Sequence, residues 1–191
     1  MLIVHIMSLL LGGAQLVKKV GYFWGISGVL LILILAIYRL TPMAIALKDI
    51  PLGILHWLSL IFSVFYMAYA EGYKGFHLSF APRVVIRADY LSKNPKFAHT
   101  LLAPLFCMGY IHATRKRQFL SYGLTLMIIG FVIIVKSLPQ PWRGILDAGV
   151  VVGLTMGCFS ILYFIYMITK YPEKIFVSSD VPESNDKLDL T

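Results

Sequence analysis

The chain has 191 residues, 59% hydrophobic and 14% charged, with a formal charge of +8. A soluble domain of this size carries about 25% charged residues and has too little volume to hide so much apolar surface, so a soluble globular fold is excluded. The length leaves room for one domain of a few helices in lipid.

Residues 1–17 carry no Lys, Arg, Asp or Glu, and Lys18-Lys19 follows them. A cleaved signal peptide has basic residues before its apolar stretch and a small-residue cleavage site after it. Neither is evident, so the run reads as a first span with its N-terminus outside. Residues 20–38, 50–70, 118–135 and 148–169 are further uncharged runs of 18 to 22 residues. About 20 apolar residues cross the hydrocarbon core as a helix. Only helices or closed barrels satisfy the backbone there, and no run alternates as barrel strands do. The expected fold is therefore all-α, a polytopic bundle of five transmembrane helices in one domain, residues 1–171.

The run at residues 97–114 is less apolar, interrupted by His99, Pro104 and His112. If it crossed, Lys and Arg would divide eight to nine between the two sides. If it does not, 13 gather on one side against Arg39, Lys48, Lys136 and Arg143 on the other. Cytoplasmic loops carry the excess of Lys and Arg. Residues 76–114 are thus expected to form an interfacial or re-entrant segment on the cytoplasmic side, with the C-terminus on that side too. Within it, Ser79 to Pro82 suits a helix start and Ser92 to Pro95 its end, giving a short basic helix in the headgroup plane. Tyr66, Tyr69 and Tyr73 mark an aromatic belt. Residues 139–142, Pro-Gln-Pro-Trp, form an outer corner before the last span. Residues 172–191 hold five acids against two lysines and read as a disordered acidic tail.

Three constellations carry chemical interest. Gly149, Gly153 and Gly157 repeat every four residues along one helix face, where they admit another backbone closely; a partner within the chain is favoured over a second copy. Arg143 and Asp147 are spaced as an i,i+4 ion pair at the outer end of the last span, and Glu71 closes the second strong span inside, spaced to pair with Lys74. Asp147 and Glu71 are the candidate membrane acids. Lys74, His77, Arg83, Arg87, Arg115 and Arg117 lie in the basic inner region, and arginine forks suit phosphate; they are the candidate anionic-headgroup site. His99 and His112, 13 residues apart, suggest haem or metal ligands, but Pro104 interrupts any helix that would carry both. Cys107 and Cys158 have no metal or redox spacing. No metallopeptidase, P-loop, nucleophile-elbow or paired-carboxylate pattern is present, so no catalytic residue, metal or cofactor is expected.

Residues 70–76 (Ala-Glu-Gly-Tyr-Lys-Gly-Phe), 80–83 (Phe-Ala-Pro-Arg) and 138–149 (Leu-Pro-Gln-Pro-Trp-Arg-Gly-Ile-Leu-Asp-Ala-Gly) resemble a group of small bacterial multi-pass membrane proteins. The likeness covers roughly residues 20 to 170. It implies a bacterial inner membrane and supplies no activity. The leading expectation is a non-catalytic membrane subunit that binds anionic lipid, other membrane subunits or a second copy. A small transporter or channel comes second and a lipid-modifying enzyme third. Because the basic residues flank apolar spans, nucleic acid is not an expected partner.

Overall fold

The structure, a computed structural model, describes residues 2–94 and 96–171; for residues 2–19 and Phe97 it describes the backbone alone. The tail at 172–191 lies outside the described residues. The described chain is helical without a strand, and four helices are long and apolar enough to cross a membrane. In order they are α1 (Leu2–Ile45), a 3-10 turn (Ala46–Asp49), α2 (Ile54–Met67), a π-helical segment (Ala68–Phe80), α3 (Ala81–Lys93), α4 (Phe97–Leu101), α5 (Ala103–Cys107), α6 (Arg115–Ser137) and α7 (Trp142–Lys170).

The fifth expected span is not a separate helix. Residues 1–17 and 20–38 were read as two crossings, yet Leu2 to Ile45 forms one helix of 44 residues. No Pro, Asn or Asp stands between residues 2 and 41, and lysine is a good helix former, so nothing turns the chain at Lys18-Lys19. Residues 2–19 therefore extend α1 rather than crossing back. The 13:4 partition survives, because residues 1–17 contribute no Lys or Arg to either side.

The second span also runs further than its apolar residues. It was expected to leave the membrane at residue 70, with a separate surface helix after residue 79. Instead Ile54 to Lys93 is one helical column of 40 residues. Proline inside an α-helix clashes with the carbonyl four residues back. Pro82 is accommodated in the first turn of α3, directly after the wider π segment, and the Ala81 N–H donates to the Phe76 carbonyl five residues back. The Gly53 N–H donates to His56 Nδ1 at 3.3 Å where this column begins.

α7 is the axis of the bundle. A Cβ at Gly149 would fall 2.5 Å from Ser63 Oγ and 2.9 Å from the Ser63 carbonyl oxygen; one at Gly153, 2.8 Å from Glu71 Oε2; one at Gly157, 2.7 Å from the Phe76 ring. The partner of the glycine face is thus within the chain, the column of α2 and the π segment. Contacts advance together along both elements, so they run parallel. At the other end Gly144 meets the Met43 carbonyl and Leu47, which sets α1 antiparallel to α7.

Residues 97–107 form two helices of five residues each, broken at Leu102. At 1.5 Å per residue each is roughly 7.5 Å long, too short to cross. They pack on small residues of α1: Thr100 against Gly21, Ala103 and Cys107 against Gly25, Pro104 against Gly28. Trp24 Nε1 donates to the Leu101 carbonyl at 3.2 Å. α6 stands apart, with Ser121 and Val135 its buried residues; a Cβ at Gly123 or Gly130 would meet nothing within 4 Å. Its apolar flanks face outward, as in a lipid-facing helix.

These contacts separate two kinds of glycine. Gly149→Ala must displace a backbone carbonyl and is expected to cost about 1–3 kcal/mol by overpacking. Gly123→Ala is expected to leave stability unchanged or raise it. Thermal unfolding of both variants in one detergent checks this, and equal melting temperatures would contradict the seam.

Candidate functional site

Arg87 organises the end of the bundle where α3 meets the short helix α5. It projects from α3 and is 1% exposed. Its Nε donates to the Phe106 carbonyl at 2.7 Å, and Nη2 donates to the Ile111 and His112 carbonyls at 2.9 and 3.1 Å. The guanidinium also lies 4.4 Å from the Phe106 ring centroid. A buried charge is tolerated only when its donors are satisfied. Here the Phe106 carbonyl, which also accepts the Gly109 N–H, and the Ile111 and His112 carbonyls of the following turn provide that. The expectation of Arg87 as a headgroup ligand is corrected: it is a buried clamp, with no surface to offer a lipid.

The clamp folds residues 97–112 back on themselves, which brings His99 and His112 together. Their ring centroids are 4.8 Å apart, and both rings stack on Phe106 at 5.3 and 6.3 Å. The spacing of 13 suggested distant ligands on one helix; a turn at Gly109, with φ +85°, and His112 itself, with φ 49°, closes the gap. Burial first, then His112, Lys96 and Arg87, lowers the pKa of His99. Burial, Lys96 and Arg87 lower that of His112. Every charged group that bears on the pair is a cation. Burial also pushes the Cys107 thiol up to about 12, so Cys107 is packing material rather than a nucleophile.

A second set of polar groups follows the glycine face of α7. Near its N-terminal end, Arg143 Nε lies 3.7 Å from Asp147 Oδ2, the ion pair expected from their spacing. Asp147 is 4% exposed and Ser63 6%; Asp147 Oδ2 and Ser63 Oγ are both buried without a hydrogen-bond partner. Glu71 lies against Gly153, eleven residues into α7. This corrects its placement at the inner boundary: the carboxylate is beside the middle of a spanning helix. Nor does Glu71 pair with Lys74. In an i→i+5 coil, residues three apart do not share a face, and Lys74 instead lies 4.9 Å from the Tyr69 ring centroid. Further in, His77 Nδ1 is 3.3 Å from Ser160 Oγ, with Tyr73, Tyr163 and Phe164 around the ring.

The six expected headgroup ligands therefore divide. Lys74 is exposed on the aromatic belt and His77 belongs to the α7 seam. Arg83 donates to Ser79 Oγ at 3.3 Å. Arg115 is exposed at the start of α6, and Arg117 packs by Gly109. Ser63 and the His99–His112 pair were not singled out as site residues. Ser63 sits in a plain apolar run, and only folding shows what lies across from it. Glu71, His77 and Asp147 do not converge on one cavity, as a lipid-modifying enzyme requires; they are strung along one seam. No group of three or more His, Cys, Asp or Glu among the described residues is placed to hold a metal.

Fold and sites together define a polytopic α-helical membrane protein. No protein-family model, curated protein or solved structure matches the chain.

The clamp separates two arginines one helical turn apart. Arg87→Lys loses the planar fork and is expected to destabilise by about 1.5–3 kcal/mol, the worth of a charged hydrogen bond. Arg83→Lys should stay within about 0.5 kcal/mol of wild type, as surface changes do. Comparing their unfolding in detergent checks this; equal stability would contradict the clamp.

Proposed function

We propose that the protein is a non-catalytic component of a bacterial inner membrane that binds anionic lipid headgroups at its cytoplasmic end. The observation that carries this reading is the meeting of His99 and His112 at 4.8 Å among cations alone. Lys96 bears on both rings, and Arg87 lies behind them. Arg115 and Lys116 are exposed in the same inner region, as is Lys93, which pairs with Asp89 at 2.6 Å. The C-terminus is assigned to the cytoplasm by the 13:4 distribution of Lys and Arg. Each basic residue near an anionic surface contributes about 1 kcal/mol of attraction. That diffuse term depends on charge alone, whereas a paired-imidazole site adds a dependence on pH.

The sign of that dependence follows from the direction of the shifts. Both imidazoles titrate below their ordinary value of 6.5, because burial and neighbouring cations oppose the charged form. A bound phosphate favours the charged form. Affinity should therefore rise as pH falls through and below about 6.5, and level off once both rings are protonated. Lipid titration in nanodiscs, phosphatidylglycerol against phosphatidylcholine, is expected to show a preference for the anionic lipid that grows from neutral to mildly acidic pH. In His99→Gln/His112→Gln the preference should persist but lose its pH dependence. A wild-type preference that does not vary with pH, or no preference at all, overturns the site.

A further inference from the structure

The groups on the α7 seam stand at successive depths. Counting from Trp142 at 1.5 Å per residue, Asp147 lies roughly 8 Å along α7, Gly149 with Ser63 roughly 10 Å, Gly153 with Glu71 roughly 16 Å, and Ser160 with His77 roughly 27 Å. Together they cover some 20 Å of a hydrocarbon core about 30 Å thick. On α7 only glycines stand between them, while across the seam the Phe76 ring packs on Gly157 between Glu71 and His77. Ionisable residues inside a membrane are costly and mark ion or proton paths, and chains of Asp, Glu and His serve as relays.

Two features make this seam more than a row of small residues. Ser63 Oγ points at Gly149, and the residue is 6% exposed, yet its hydroxyl has no hydrogen-bond partner. Asp147 Oδ2 likewise accepts no hydrogen bond, although Arg143 Nε is 3.7 Å away. Buried polar groups without partners need an explanation, and water or a mobile proton is the usual one. No cation among the described residues pairs with Glu71, so its charge state is free to change. The helix is also π-coiled from Ala68 to Phe80, the stretch that presents Glu71 and His77, and such irregularities gather at functional sites.

We propose that the seam between α7 and the α2–π column conducts protons across the membrane, with Glu71 as its central carrier. Water at the outer end protonates the Asp147 carboxylate beside the half-exposed Arg143. The proton passes through water and the Ser63 hydroxyl to the Glu71 carboxylate, which becomes the neutral acid. As the Phe76 ring swings off Gly157, water carries the proton on from Glu71 to one ring nitrogen of His77, and the imidazolium releases its other N–H proton to water at the inner side. Asp147 and Glu71 return to their starting state and His77 is left as its other neutral tautomer, which a ring flip resets, so one net proton has moved. This activity is independent of headgroup binding at the other cluster.

The test is proton flux into vesicles holding the purified protein and a trapped pH dye, driven by a potassium diffusion potential. Wild type is expected to acidify the lumen faster than protein-free vesicles of the same lipid. Glu71→Gln should fall to the protein-free rate, because an amide neither takes up nor releases the proton. Ser63→Ala removes a hydroxyl with no bond to lose, so it should fold as wild type does and still slow the flux. Infrared titration of the folded protein supplies a second readout, a protonated-carboxyl band that weakens in Glu71→Gln. A wild-type rate equal to that of empty vesicles overturns the proposal, as does unchanged flux in either variant or a carboxyl band of undiminished intensity in Glu71→Gln.

Discussion

Close approach of one helix backbone to another is the constraint on which this fold depends. In lipid the hydrophobic effect does not press helices together, so they associate through packing and small residues. α7 supplies glycines at 149, 153 and 157, and the α2–π column fills the resulting groove with Ser63, Met67, Glu71 and Phe76. α1 repeats the device on a smaller scale, where Gly21, Gly25 and Gly28 receive the segment at 100–107. The same shallow grooves bring polar atoms deep into the bundle. A bulkier face on α7 would hold Glu71 away from the axis and remove the seam along with the packing.

Much of this was legible from residue order alone. The four long helices follow from uncharged runs of spanning length, and the glycine repeat identified the packing face of α7 because its period matches the helix. The Arg143–Asp147 pair followed from i,i+4 spacing. What could not be read depends on how the chain bends. Lys18-Lys19 looked like a boundary, but charge alone does not end a helix, and α1 runs through it. Glu71 looked like the end of a span, since counting apolar residues cannot foresee a column that carries a carboxylate onward against a glycine. Arg87 looked like a surface arginine on a basic helix. Its burial depends on carbonyls 19 to 25 residues away in sequence, which no local pattern reveals.

The two polar clusters differ in character, and the difference follows from their solvent. At the end that holds α4 and α5 the charges are cations with one acid, Asp89, paired to Lys93, and Arg87 is locked by three carbonyls into a structural role. Along α7 the groups are acids, a hydroxyl and an imidazole enclosed by helices, where each unsatisfied atom costs far more. A protein that needed only to stay folded would gain by replacing Glu71 with an apolar residue of similar size, as buried ionic groups commonly add nothing to stability. A carboxylate opposite Gly153, on a π-coiled stretch, is therefore not explained by packing and fits the carrier role proposed for it.

The central claim is that the glycine face of α7 seats the α2–π column of its own chain. Oxidative cross-linking of Ser63→Cys/Gly149→Cys in native membranes tests it most directly, in a background with Cys107→Ala and Cys158→Ala. A Cβ at position 149 falls 2.5 Å from Ser63 Oγ, so the two thiols are expected to join within one chain, giving a cross-linked monomer and no dimer. A disulfide-linked dimer would contradict the seam and everything placed along it.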